Sequence, residues 1–203
     1  MPLGYEGTLM LLSICPLGIR GDDGHTLLVI IHHFYYSAQI YHMNNTTKIY
    51  LILLDIRSVH NVGAIFRTAD AVGIDKVYLV GTTPTPLDRF GRVRSDLHKS
   101  ALGAELMVPW EQVVDVDNLL QKLKKEKVDL VAIEQSSRSM DYKKYTLPKD
   151  KNVAIIIGTE ASGIPQKVLL ECNSILEIPM RGKKESLNVT TALGIALFRI
   201  LNI

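Results

Sequence analysis

Cysteine is scarce in this 203-residue chain: Cys15 and Cys172 stand far apart, with no paired spacing. That excludes a disulfide framework and a cysteine-based zinc site. It fits reduced, structurally ordinary thiols, so a cytoplasmic location is expected. No apolar run approaches the ~20 residues that cross a bilayer. The run at 27–31 is short, has no basic segment before it and follows Arg20, Asp22 and Asp23, which makes it a poor secretory signal. No membrane partner is expected. Charge of one sign does not dominate, the formal net charge being +2. A mild basic excess suits a polyanionic partner without demanding one. Internal repeats, low-complexity tracts and strong hairpin turns are missing too. So are the G-x-G-x-x-G fingerprint and the phosphate-binding loop ending in Gly-Lys-Ser/Thr, which argues against a dinucleotide-dependent oxidoreductase.

What is present is ordinary for a globular domain, with 47% hydrophobic and 22% charged residues, and long enough to bury a real core. Residues 1–47 stand apart. They hold four of the six histidines and half of the eight tyrosines, but a single basic residue, Arg20. They show no continuing period. We expect a poorly ordered extension or a mis-annotated start there, Met43 being a second plausible start; the rival is an added strand or helix. Residues 48–203 form the expected domain.

In that domain strand-like and helix-like segments alternate. Residues 49–54 read as a buried strand ending at Asp55. A helix is expected from Asn61, with Val62, Ile65, Phe66, Ala69 and Val72 on one face and Gly73 as its stop. Residues 76–80 read as a strand, and 82–96 as a long loop carrying Arg89, Phe90, Arg92 and Arg94. A short strand at 106–108, a helix at 116–127 and a strand at 128–133 follow. Residues 135–151 read as irregular. A strand at 153–157, a short helix at 165–171, a strand at 175–178 and a final helix at about 187–201 complete the pattern. This is an α/β domain: a mostly parallel sheet with helices on both faces. Ligands in such sheets bind beyond the strand C-termini.

Three polar constellations sit at those ends. Asn61, Gly63 and Arg67 open the first helix. Asn61 and Arg67 are under two turns apart, close enough to converge near the helix start, although Asn61 as a plain N-cap and Arg67 as surface charge is the simpler reading. Gly158, Glu160 and Gly163 bracket a carboxylate between a strand and a helix, where glycine permits close backbone approach. Ile178, Met180, Arg181, Gly182, Lys183, Lys184, Ser186, Leu187 and Asn188 form a basic loop into the last helix, with Ser186 as the expected N-cap.

The order and spacing of the three resemble the SpoU family of the SPOUT methyltransferases. Asn61, Gly63, Arg67, Thr68 and Ala69 fit its N-x-G-x-x-x-R-T-A motif. Gly158, Glu160 and Gly163 fit G-x-E-x-x-G, and residues 178–189 fit I-P-M followed by S-L-N-V. Thr159, where the family often has Asn, and Thr190, in place of Ser, are mild departures. The resemblance covers roughly residues 49–203. It implies a deep C-terminal trefoil knot, a homodimer, and S-adenosylmethionine as methyl donor with no metal. It also implies transfer to a ribose 2′-hydroxyl of structured RNA. Donor contacts are implied at Ile133, Gly158, Ile178, Met180 and Leu187. Arg67 would stabilise the developing alkoxide, with Asn61, Glu160, Ser186 and Asn188 positioning the ribose. Arg89, Arg92, Arg94, Arg181, Lys183 and Lys184 are candidate phosphate contacts. No separate RNA-binding domain is recognisable in these residues, so tRNA read by shape is expected ahead of ribosomal RNA. A non-catalytic RNA-binding relative is the alternative.

Overall fold

The computed structural model describes residues 47–159 and 161–203. The expectations for the first 46 residues, and the position of Glu160, lie outside the described residues.

Seven strands form one sheet: β1 Ile49–Leu54, β2 Lys76–Val80, β3 Trp110–Val113, β4 Asp129–Ile133, β5 Met140–Asp141, β6 Val153–Ile157 and β7 Ser174–Glu177. Their spatial order is β3-β2-β1-β6-β4-β7-β5, and every pairing is parallel. The central strands are apolar along their whole length because both of their faces are covered. Leu51 pairs with Val77 on one side and Ile155 on the other. This register sorts alternate side chains into two cores. Leu51, Leu53, Val77, Leu79, Val131 and Ile155 enter the first core. There they meet helices α1 Val59–Val72, α2 Ser95–Ala101, α3 Ala104–Met107 and α6 Val189–Leu201. Ile52, Leu54, Tyr78, Leu130, Ala154 and Ile156 enter the second, beneath α4 Val116–Lys125 and α5 Gln166–Glu171. Full burial of each such aliphatic side chain is worth roughly 1.5–3 kcal/mol. Among the described residues no helix is long and apolar enough to cross a membrane.

The helical face read from the sequence holds in α1: Val62, Ile65, Phe66, Ala69 and Val72 are all buried. Gly73 ends the helix in the left-handed region, its N–H reaching the Ala69 and Asp70 carbonyls. Four local expectations are corrected. The cap of α1 is Ser58, whose Oγ accepts from the Asn61 N–H at 3.2 Å; Asn61 lies inside the helix. The segment expected as a strand at 106–108 is the end of α3 and its cap. Pro109 forces the preceding residue extended, and pairing with β2 begins only at Trp110. The segment expected as irregular at 135–151 contains β5 and a 3₁₀ turn at Tyr142–Lys144. It has no period of its own because β5 is a two-residue edge strand, placed by β7. Finally, α6 is capped by Asn188, two residues later than expected.

Candidate active site

Strands β6, β4 and β7 are neighbours in the sheet. The loops that leave their C-terminal ends therefore lie side by side, although they are far apart in sequence. Together with the start of α6 they enclose a cleft of about 590 Å³. All five sequence-predicted donor contacts, Ile133, Gly158, Ile178, Met180 and Leu187, line it, as do Ser186 and Asn188. The 158–164 turn is pinned by its own backbone. The Gly163 N–H donates to the Thr159 carbonyl at 3.0 Å, and Thr159 Oγ1 accepts from the Ala161 and Ser162 N–H groups at 3.1 and 3.2 Å. Threonine thus organises the turn through its hydroxyl, which accounts for its standing where the family often has Asn.

Two cleft residues were missed in the sequence. Glu134 follows β4 directly, and its carboxylate accepts from the Ile164 N–H and the Gln135 N–H, both at 2.9 Å. Gln135 Nε2 donates to the Glu185 carbonyl at 2.6 Å. These adjacent residues tie the β4 loop to both other loops of the cleft. Their place at the carboxyl end of a central strand was the available signal; a lone Glu-Gln pair carries none. Glu134 and Glu185 are the ionisable side chains lining the cleft among the described residues, and no lysine, arginine or histidine joins them. The cleft thus combines apolar walls, exposed backbone and negative charge.

Asn188 Oδ1 accepts from the Thr190 N–H at 2.9 Å and from its hydroxyl at 2.5 Å. This is the work assigned beforehand to Ser186, which instead lines the cleft in the turn leading to the helix. Asn188→Ala is expected to cost about 1 kcal/mol of stability through the lost cap. An unchanged urea midpoint would show that the cap is dispensable.

Arg67 lies elsewhere. It is exposed on α1 and lines a second cavity of about 490 Å³ with His60, Thr68, Lys99, Ser100 and Phe198, sharing no residue with the cleft. Among the described residues its guanidinium has no ion-pair partner. Asn61 lies inside α1 and lines neither cavity. Gly63 lets α1 and α2 touch, since a Cβ there would stand 2.1 Å from Ser100 Oγ and 2.6 Å from the Leu97 carbonyl. That contact sets Lys99 and Ser100 beside Arg67.

The candidate phosphate contacts divide into two kinds. Arg92 pairs with Asp88 at 2.8 Å and Arg94 with Asp96 at 2.7 Å. The Arg92 backbone N–H helps hold the Asp88 carboxyl below its ordinary range, and the Arg94 guanidinium does the same for Asp96. Arg89, Arg181, Lys183 and Lys184 are exposed and have no carboxylate partner among the described residues.

A fully parallel sheet, with an apolar, backbone-lined cleft where three loops meet and an arginine-bearing groove apart from it, defines an α/β ligand-binding domain of the SPOUT type. The chain belongs to the SpoU rRNA Methylase family, whose model matches residues 48–198. It is 32% identical over 155 residues to the 23S rRNA (guanosine-2′-O-)-methyltransferase RlmB of Coxiella burnetii, covering 76% of this chain and 58% of that protein. To the Escherichia coli protein of the same name it is 31% identical over 150 residues, covering 73% and 58%. The AdoMet-bound rRNA methyltransferase of Sinorhizobium meliloti is similar in structure, with a TM-score of 0.69, 28% identity, and coverage of 76% and 56%. The chain thus spans somewhat over half the length of these relatives.

Proposed function

We propose that this chain is an S-adenosylmethionine-dependent methyltransferase that acts on a ribose 2′-hydroxyl of RNA. The observation that carries the reading is the three-loop cleft, in which every residue expected to touch the donor is gathered. Its volume is that of a small-ligand pocket. Gly158 and Gly163 let the turn pack tightly on its own backbone and on the Glu134 carboxylate, the aliphatic residues offer an adenine slot, and the two carboxylates suit a cationic ligand better than an anionic one. When bound, the donor supplies the electrophilic methyl group. The chain's own residues then hold and orient. The Arg67 guanidinium donates hydrogen bonds and accepts none; its part is to stabilise the 2′-oxygen as that oxygen loses its proton to water and to fix the adjoining phosphate. Ser186 and Asn188, at the mouth of α6, position the ribose.

Because Arg67 and the cleft share no lining residue, a second copy of the chain is the natural way to bring them together. Phe198 lines the groove of Arg67 and with Ile195 forms an exposed apolar strip on α6, while Leu102, the C-cap of α2, and Leu106 and Met107 on α3 are exposed as well. Such a surface suits burial in a homodimer. The domain at 48–203 is the catalytic unit in this reading, with residues 1–47 appended to it, and the knot belongs to the loops of the cleft. The protein is cytoplasmic in this reading; the Cys172 thiol, which burial pushes up to about 11, is chemically quiet. Among RNAs, tRNA, a compact structured shape, is the first candidate; ribosomal RNA, for which the relatives are named, is the second.

The test is transfer of labelled methyl from S-adenosylmethionine to total tRNA and to ribosomal RNA, followed by nucleoside mass analysis. A 2′-O-methylated nucleoside in either pool is expected. Donor binding with no transfer to either pool would favour the non-catalytic RNA-binding alternative.

A further inference from the structure

The loop between β2 and α2 is folded into a small hairpin, with Leu87 and Val93 forming an antiparallel bridge. The Asp88 N–H donates to the Arg92 carbonyl at 2.8 Å and the Gly91 N–H to the Asp88 carbonyl at 2.9 Å. Asp88 Oδ1 accepts from the Phe90 and Arg92 N–H groups at 2.8 and 3.0 Å. Gly91 supplies the positive φ, +74°, that closes the tip. This fixed turn lifts Phe90 into solvent at 66% exposure. The exposed ring is thus held in place by the hydrogen bonds of its own turn.

The ring's surroundings show what it fits. The Arg89 and Arg92 guanidinium carbons stand 4.8 and 5.0 Å from its centroid. The ring also walls a recess of about 520 Å³, lined by Thr85, Asp88, Arg89, Arg94 and Gln112. A π-face, adjacent guanidinium groups and a side-chain amide are together the chemistry of a nucleobase site. The base stacks on the ring, its edge finds donors and acceptors, and its phosphate finds Arg89, the arginine without a carboxylate partner. The hairpin follows β2, and Gln112 lies near the C-terminal end of β3. The recess therefore opens on the same edge of the sheet as the cleft. Strand β1 separates β2 from β6, so the near edges of the two sites are about two strand spacings apart, roughly 10 Å, and their centres about three to four spacings apart, roughly 15–20 Å.

We infer that Phe90 and this recess receive an unpaired base of the RNA substrate, close in the chain to the nucleotide that is modified. The inference rests on the RNA methyltransferase reading and adds that the substrate is unpaired at this point. A fully paired helix stacks its bases on one another and offers none to the ring.

The test uses full-length protein, a fluorescein-labelled stem–loop RNA, and a blunt duplex built from the same stem. Phe90→Ala is expected to weaken stem–loop binding about tenfold or more, the usual size of one lost base stack, and to leave duplex binding unchanged. Phe90→Trp should restore stem–loop affinity, and its added indole emission should be quenched by the stem–loop and not by the duplex. Equal affinities for the stem–loop in wild type and Phe90→Ala, with methyl transfer by the wild type intact, would overturn the base site while sparing the enzymatic reading. If Phe90→Ala instead lowers the oligomeric state seen by ultracentrifugation, the ring belongs to a contact between copies and the inference fails. A wild type that binds neither RNA would sink both readings.

Discussion

Arg67→Ala is expected to lower methyl transfer by at least about a hundredfold, the size of effect seen when a group that stabilises developing negative charge is removed. The structure makes this prediction sharper than motif matching does. Arg67 shares no wall with the cleft, and its side chain makes no ion pair among the described residues. Removing it leaves no buried carboxylate orphaned. The variant should therefore fold normally and bind S-adenosylmethionine with unchanged affinity in calorimetry, while turnover collapses. Arg67→Lys should recover little, because an ammonium cannot reproduce the planar fork of a guanidinium. Near-normal turnover by Arg67→Ala would remove the residue from the reaction, and loss of donor binding would mean that it serves the cleft instead.

Gly158→Ala should have the larger effect on the donor. A Cβ at that position would stand 2.4 Å from the carbonyl carbon and oxygen of Gly163 and 2.6 Å from the Ile164 nitrogen. All three are backbone atoms of a turn closed by its own hydrogen bonds, so none can swing aside as a side chain would. The turn would have to lift off the end of β6, pulling the Ile164 N–H from the Glu134 carboxylate and widening the slot proposed for adenine. Overpacking of this kind costs roughly 1–3 kcal/mol of stability, and donor affinity is expected to fall by about tenfold or more, a factor that corresponds to ~1.4 kcal/mol. Gly182→Ala is the natural control, because a Cβ there meets nothing within 4 Å. Wild-type donor affinity in Gly158→Ala would mean that the turn does not shape the binding slot.

The motifs were legible because they occupy local positions that sequence can mark: strand ends, helix starts and the glycines between them. Gly158 and Gly163 signal a close backbone approach by residue type alone. The face of α1 is legible because burial repeats at helical spacing from Val62 to Val72, about three turns. Ser186 misled because serine is as good a cap as asparagine, and the choice between two candidates two residues apart depends on where the chain leaving β7 can turn. The strand expected at 106–108 misled because a short apolar run does not distinguish a strand from the exposed face of one helical turn.

The sequence by itself determined the alternation of strand and helix, the apolar runs of β1, β6 and, after Asp129, β4, and part of the cleft lining: Ile133, Gly158, Ile178, Met180, Ser186, Leu187 and Asn188. These follow from short-range periodicity and from which residues tolerate which backbone. Only the tertiary structure decided the order of the strands, and through it the meeting of the loops after β4, β6 and β7. It alone tied those loops together through Glu134 and Gln135, placed Arg67 in a separate groove, and raised Phe90 on a hairpin. All but the hairpin, which Leu87 and Val93 close locally, depend on pairings between residues that are tens of positions apart. Such pairings are chosen by which buried surfaces fit and which backbone groups find partners, and no local pattern of residues encodes that choice.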